Sequence, residues 1–264
     1  MGALDIGYGG LAAGYLLLII PLGVMLWFRI PIFGQTLVAI LRMTVQLLFV
    51  GLYLQVLFRI NNPWLNALWL IVMITVADVS ILHACGLRVT RFARPVFFSL
   101  AIGTIIPLLF FLCVLLPGCK LTGARYLIPI AGMILGNCLR ADIIGVRTFY
   151  QSIRTSNRFY LQRLAAGATQ AEAVRPFLRE ACRSALAPTV ATMTTIGLVA
   201  LPGMMTGVIL GGTDPFVAIK YQIAIMIAIF SGTAITVVIA ILLTLRTSFT
   251  EAGVLDLNIF ARGK

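Results

Sequence analysis

Seven stretches of this chain are apolar over roughly the 20 residues that a helix needs to cross the hydrocarbon core of a bilayer. They run over about 10–28, 36–58, 65–85, 96–116, 127–146, 186–211 and 221–245. The pattern predicts an all-α, polytopic membrane protein of about seven transmembrane helices, organised as one transmembrane domain over residues 1–264. Pro21 falls within the first span, where neighbouring helices can satisfy the backbone that a kink frees. Trp27, Trp64 and Trp69 fall near span ends, at the depth where interfacial aromatics collect. The 186–211 stretch carries Pro188 near its start and Pro202-Gly203 near its middle. One kinked span is the simpler expectation there, and a broken helix that partly re-enters is the alternative.

Composition agrees with the pattern. Hydrophobic residues make up 61% of the chain and charged residues 11%, against about 45–50% and 25% in soluble domains. Mean hydropathy is +1.05. So little polar surface cannot cover a water-facing globule. The net charge of +12 would fit a nucleic-acid binder if it were spread over one soluble face. Most of the arginines instead lie between the apolar runs, where cytoplasmic loops gather positive charge, so nucleic acid is not an expected partner. With the N-terminus outside and the C-terminus cytoplasmic, 16 of the 20 Lys and Arg residues fall on the inner side. That asymmetry sets the expected orientation. The N-terminal run has neither a basic n-region nor a small-residue cleavage site, and reads as a retained span rather than a signal peptide. Five scattered cysteines (Cys85, Cys113, Cys119, Cys138 and Cys182) form no CxxC pair and read as small membrane residues without a disulfide framework.

Residues 147–185 form the one sizeable polar stretch, too short for a core of its own. They predict an amphipathic helical hairpin. Gly167 can end the first helix in a left-handed conformation, and Thr169 with Glu172 can cap the second as a capping box. Leu161, Leu164, Val174, Phe177 and Leu178 supply apolar positions. Arg154, Arg158, Arg163, Arg175, Arg179 and Arg183 supply the basic face. Two readings stay open at this point. The hairpin can lie on anionic headgroups, or it can dock into a cytoplasmic partner, as the coupling helix of ABC-transporter membrane subunits does. The chain lacks the Gly-rich loop followed by Lys and Ser/Thr that would cradle ATP phosphates; its one Gly-Lys pair is Gly263-Lys264. Any ATP used would be bound by another chain.

Three blocks carry a specific resemblance: Ile128–Asn137 (IPIAGMILGN), Ala166–Thr169 (AGAT), and Leu198–Gly207 (LVALPGMMTG), the last followed by Gly212-Thr-Asp-Pro215 and Ala218–Ile223. Their order and spacing resemble the FetB family, membrane subunits of a bacterial iron-export ABC transporter, with plant aluminium-tolerance membrane subunits in the same broad family. The resemblance implies a permease subunit in the inner (plasma) membrane, working as a homodimer with a separate cytoplasmic, FetA-like ABC ATPase. No cofactor is expected on this chain; ATP and Mg belong to the partner. It implies ATPase coupling through Arg163, Gly167, Ala168, Thr169, Glu172, Phe177 and Arg179. Iron or a related metal species is the implied cargo, with a small organic substrate as the alternative.

On the matched blocks, Met133 and Asn137 in the fifth span, Thr192 and Thr195 in the sixth, and Met204 and Met205 after Pro202-Gly203 are candidates for a translocation path. Gln46, one turn from Arg42 on the second span, and Asp78, an intramembrane acid, join them. Methionine, threonine and small residues also pack well in membrane cores, so each has a plain packing role to set against a functional one. With a single histidine, His83, five residues from Asp78 and off its helical face, no metal-ligand set is assigned. Asp78 reads either as a pathway residue or as the partner of an arginine, and Asp142, close to Arg140, reads as local charge compensation. The pairs Gly132/Gly136 and Gly203/Gly207 have small-xxx-small spacing and predict close helix crossings or dimer contacts. A membrane enzyme has no support, because one histidine leaves no Ser/His/Asp or HExxH arrangement. An ATP-independent carrier or channel remains the other class; it would make Asp78 or Asp142 an ion site.

Overall fold

The computed structural model describes residues 7–118, 123–250, 253–256 and 259; Cys119, Lys120, Arg262 and Lys264 lie outside them. The described residues are helical. In chain order they form α1 (Tyr8–Tyr15), a 3-10 turn at Leu16–Leu18, α2 (Ile19–Trp27), α3 (Phe33–Ile60), α4 (Pro63–Cys85) and α5 (Val89–Phe110). A π turn at Phe111–Leu115 follows, then α6 (Ala124–Thr155), α7 (Asn157–Ala165), α8 (Gln170–Thr195), α9 (Gly203–Leu210) and α10 (Pro215–Ser248). Six helical segments are long and apolar enough to span: Tyr8–Trp27, Phe33–Ile60, Pro63–Cys85, Val89–Leu115, Ala124–Thr155 and Pro215–Ser248. The protein is thus an all-helical membrane protein with six candidate spans among the described residues.

The seventh expected span takes a different form. Residues 186–211 are not one kinked helix. α8 runs unbroken from Gln170 through Pro176 and Pro188 to Thr195, residues 196–202 leave helical conformation, and α9 is a separate short helix. The cause is local. The Thr194 and Thr195 hydroxyls donate back to the Ala191 carbonyl at 2.7 and 3.1 Å, as threonines do elsewhere within these helices, so the break comes after them. Gly197 then turns left-handed at φ +86°, and Pro202 precedes the first turn of α9. The hairpin boundary also moves. α6 continues to Thr155 with 14 buried residues along it, so the polar hairpin proper begins at Asn157.

α4, α5, α6 and α10 build the core, with α8 laid against α6 and α10. Backbone proximity is set by glycines that the sequence reading did not single out. A Cβ added at Gly232 would lie 2.6 Å from the Gly103 carbonyl oxygen, and one at Gly103 would lie 2.6 Å from the Thr236 Cβ. Gly145 similarly gives room to Val237 and Ala185. Pro107 has no N–H to offer the Gly103 carbonyl one turn back; that carbonyl faces α10, and the Cys138 thiol lies 4.0 Å from it. By contrast, a Cβ at Gly136, Gly203 or Gly207 would meet nothing within 4 Å, and one at Gly132 only the Met73 tip at 3.4 Å. Those two pairs are not crossing points within one chain.

α1, α2 and α3 stand at the periphery. Only Leu57 of α3 is buried, and Tyr53 stacks on Trp69 of α4 with ring centroids 4.0 Å apart. Apolar side chains left bare on such helices are what hydrocarbon accommodates without penalty. At the other end of the bundle a short C-terminal strap ties three elements together. Asp256 N–H donates to the Ser248 carbonyl and Arg88 N–H to the Ile259 carbonyl, at 2.9 and 3.0 Å. Arg91 pairs with Asp256 at 2.8 Å, and Leu255 and Ile259 are buried beneath.

Candidate functional site

The elbow between α7 and α8 is built as its sequence predicts. Gly167 sits at φ +88°, its N–H reaching the Leu164 carbonyl at 3.0 Å while Ala168 N–H reaches Arg163 at 3.1 Å. This pair of bonds is a Schellman motif, which satisfies the last carbonyls of α7. One residue later Thr169 caps α8. Its hydroxyl accepts from Glu172 N–H at 3.3 Å, and the Glu172 carboxylate accepts from Thr169 N–H at 2.8 Å, closing the capping box. The Thr169 hydroxyl, donating to the same carboxylate at 2.7 Å, and its N–H hold the Glu172 carboxyl below the ordinary glutamate range. A pKa lowered on folding stabilises the folded elbow above the ordinary glutamate value, and this contribution fades as pH falls through the lowered one. Thr169→Ala removes the cap, worth about 1 kcal/mol. Amide exchange over 169–173 should speed up roughly fivefold, and an unchanged rate would contradict the cap.

Of the residues expected at this elbow, Gly167, Thr169 and Glu172 are exposed and Arg179 projects outward. Arg163 lies over the Phe159 ring at 5.8 Å, and Ala168 is half-buried in the turn. Phe177 is different. It is buried between the two arms against Phe159 and Tyr160, so it holds the hairpin together rather than offering a docking face. Tyr160, fully buried, donates to the Gly253 carbonyl at 2.7 Å and packs on Phe249. Burial raises its phenol pKa and keeps it a neutral donor. The hairpin is thereby fastened to the C-terminal strap and the end of α10.

α8 leads from the elbow to a second feature. It is one helix of 26 residues, about 39 Å at 1.5 Å per residue. Its far half walls a pocket of about 150 Å³ lined by Asn137, Arg140 and Ala141 of α6, Pro188, Thr189 and Thr192 of α8, and Met226 and Ile229 of α10. The structure therefore brings Asn137 and Thr192 together, two of the expected pathway residues. Met133 donates nothing to the pocket but its carbonyl accepts from Asn137 Nδ2 at 2.8 Å one turn away. Thr195 ends α8, and Met204 and Met205 begin α9 beside α10. Gln46 lies elsewhere. With Arg42 it lines a separate apolar groove of about 670 Å³ between α3, α4 and α6, which also contains Gly132 and Gly136.

The acids depart from their expected roles. Asp142 is fully buried, accepts from the Thr236 hydroxyl at 2.8 Å, and makes no ion pair with Arg140. Two residues apart on a helix, the pair point to opposite faces. Asp78 is buried on α4; among the described residues one of its carboxyl oxygens has no partner and no arginine pairs with it, and it lines neither pocket. Among the described residues no three His, Cys, Asp or Glu side chains gather as a metal cluster.

Arg140 is one of the basic residues that the expected orientation places toward the cytoplasmic side. It lies on the 32-residue α6, ten residues from Tyr150, which bonds Ser248 at the end of α10. It is exposed, one turn from Ile143, whose carbonyl accepts from the Cys85 thiol at the end of α4.

A family model described as uncharacterised protein family UPF0014 matches residues 8–249. A UPF0014 membrane protein of Synechocystis is 34% identical over 225 residues, 85% of this chain and 87% of the relative. The protein ALUMINUM SENSITIVE 3 of Arabidopsis thaliana is 30% identical over 231 residues, 86% of this chain and 82% of its own length. The "Probable iron export permease protein FetB" of Escherichia coli is 40% identical over 124 residues, about half of each chain (47% and 48%). No solved structure matches the chain.

Proposed function

The chain belongs to the UPF0014 family of membrane proteins, and from that premise we propose that it is the membrane subunit of an ABC transporter. It moves its cargo outward across the inner membrane, with the N-terminus outside and the α7–α8 elbow in the cytoplasm. A separate FetA-like ATPase carries ATP and Mg and receives the elbow in a surface cleft. The observation that carries this reading is the continuity of α8. One helix, continuous through Pro176 and Pro188, runs from a tightly capped turn to the wall of the pocket, so a push on the turn is passed toward Pro188, Thr189 and Thr192. ATPase closure and reopening would then alternate the access of that pocket.

Two copies of the chain make the working unit. Residues 196–202 are irregular, and Leu198 and Val199 are 90% and 83% exposed. Irregular backbone at membrane depth needs a cover of protein or a wet cavity, and a second copy supplies both. Iron or a related metal species is the cargo suggested by the FetB name; an organic substrate is the alternative. Reconstitution in lipid nanodiscs tests the reading. The ATPase should hydrolyse ATP several-fold faster with this chain than without it. If no ABC ATPase binds or responds, the exporter reading fails and an ATP-independent carrier using the buried Asp78 or Asp142 takes its place.

A further inference from the structure

We infer that the α6–α8–α10 pocket is an oxyanion-binding station centred on Arg140, so that the cargo carries a carboxylate or phosphate group. The inference rests on the exporter reading for the word cargo, but the binding itself stands apart from it. Three observations converge. Arg140 lines the pocket from α6, one turn from the level at which α4 ends, with its guanidinium accessible. Among the described residues it makes no ion pair and no acid lines the pocket: Asp142, the nearest in sequence, is turned away and bonded to Thr236 of α10. The neighbouring side chains are neutral and can donate. Asn137 has one amide hydrogen on the Met133 carbonyl and a second to give, and the Thr189 hydroxyl makes no bond within the described residues. Thr192 differs, since its hydroxyl already donates to the Pro188 carbonyl at 2.9 Å.

A bare metal cation is poorly served here, with neutral donors only. Its own charge opposes the guanidinium, and the described residues offer no cluster of metal ligands. A carboxylate or phosphate meets the planar five-donor fork that suits it, with an amide and a hydroxyl alongside. A metal would then pass through this pocket only as an anionic complex.

The test is direct binding of inorganic phosphate, citrate and ferrous iron, each alone, to the purified full chain in nanodiscs. Citrate or phosphate should bind saturably, and ferrous iron alone should not. Arg140→Gln should weaken the anion that binds at least tenfold, and Arg140→Lys less, because it keeps charge but loses the fork. Since a substitution on α6 can impair folding, a second measurement uses the unaltered chain. Phenylglyoxal labelling of Arg140, followed by peptide mapping, should be suppressed by the bound anion and not by ferrous iron. Binding of citrate only assigns a carboxylate cargo, and of phosphate only a phosphorylated one. Failure of both anions to bind, equal binding by Arg140→Gln, or an unprotected Arg140 overturns the station. Loss of ATPase stimulation with anion binding intact instead overturns the exporter reading and leaves the station standing.

Discussion

Replacing Gly167 with proline should reduce chain-dependent ATP hydrolysis to the level of the ATPase alone while the spans stay folded. Gly167 holds φ +88°, and the proline ring fixes φ near −65°, so the two are incompatible. Proline also lacks the N–H that reaches the Leu164 carbonyl. Both Schellman bonds depend on the chain reversing at this residue, and the Thr169 cap follows it by two positions. Proline therefore redirects α8 relative to α7 at the surface proposed to meet the ATPase. Nothing lies within 4 Å of a Cβ added at Gly167, so the damage is to the path of the backbone and not to packing. Hydrolysis in nanodiscs, compared with circular dichroism of the same sample, checks the outcome. Full stimulation by the variant would contradict coupling through the elbow.

The largest loss of stability should come from Gly232→Val. The first added carbon meets the Gly103 carbonyl oxygen at 2.6 Å, Ile134 Cγ2 at 3.0 Å and the Cys138 sulfur at 3.3 Å. The nearest of these is backbone in a helix that also packs against α4 and α6, so it cannot yield as a side-chain tip would. Overpacking of this kind costs about 1–3 kcal/mol or more, and each kcal/mol lowers the midpoint by roughly 2–4 °C at this chain length. A thermal melt in detergent should show that fall. Gly51→Ala is the control, because a Cβ there meets nothing within 4 Å; its midpoint should hold. Equal melting of Gly232→Val and the unaltered chain would mean that α5 and α10 do not cross as described.

How far the chain could be read in advance depended on the range of the interactions involved. The elbow was legible because Gly167, Thr169 and Glu172 act within six residues of one another, through rules of backbone conformation and capping. The spans were legible because hydrocarbon imposes a length on each apolar run. For residues 186–211 hydropathy left a kinked span and a broken helix both open, because it does not register the left-handed Gly197 that follows the end of α8. The close crossing was sought at Gly132/Gly136 and Gly203/Gly207 on spacing alone. It lies at Gly103 and Gly232, 129 positions apart in the numbering, and only the packing of α5 on α10 reveals it. Asp142 and Arg140 read as one neutralising pair because only Ala141 separates them in sequence. On a helix they face apart, one into the core and the other into the pocket. Gln46 shares a face with Arg42 as expected, but α3 places both beyond the reach of α8.

The most direct test of the central claim places a photo-crosslinking side chain at Ala168, in the turn between α7 and α8, and irradiates the chain with its ABC ATPase in nanodiscs. The account predicts a crosslink to the ATPase, diminished when Gly167 is proline. Crosslinks to lipid alone, unchanged by the presence of the ATPase, would show the hairpin lying on the membrane surface and would contradict it.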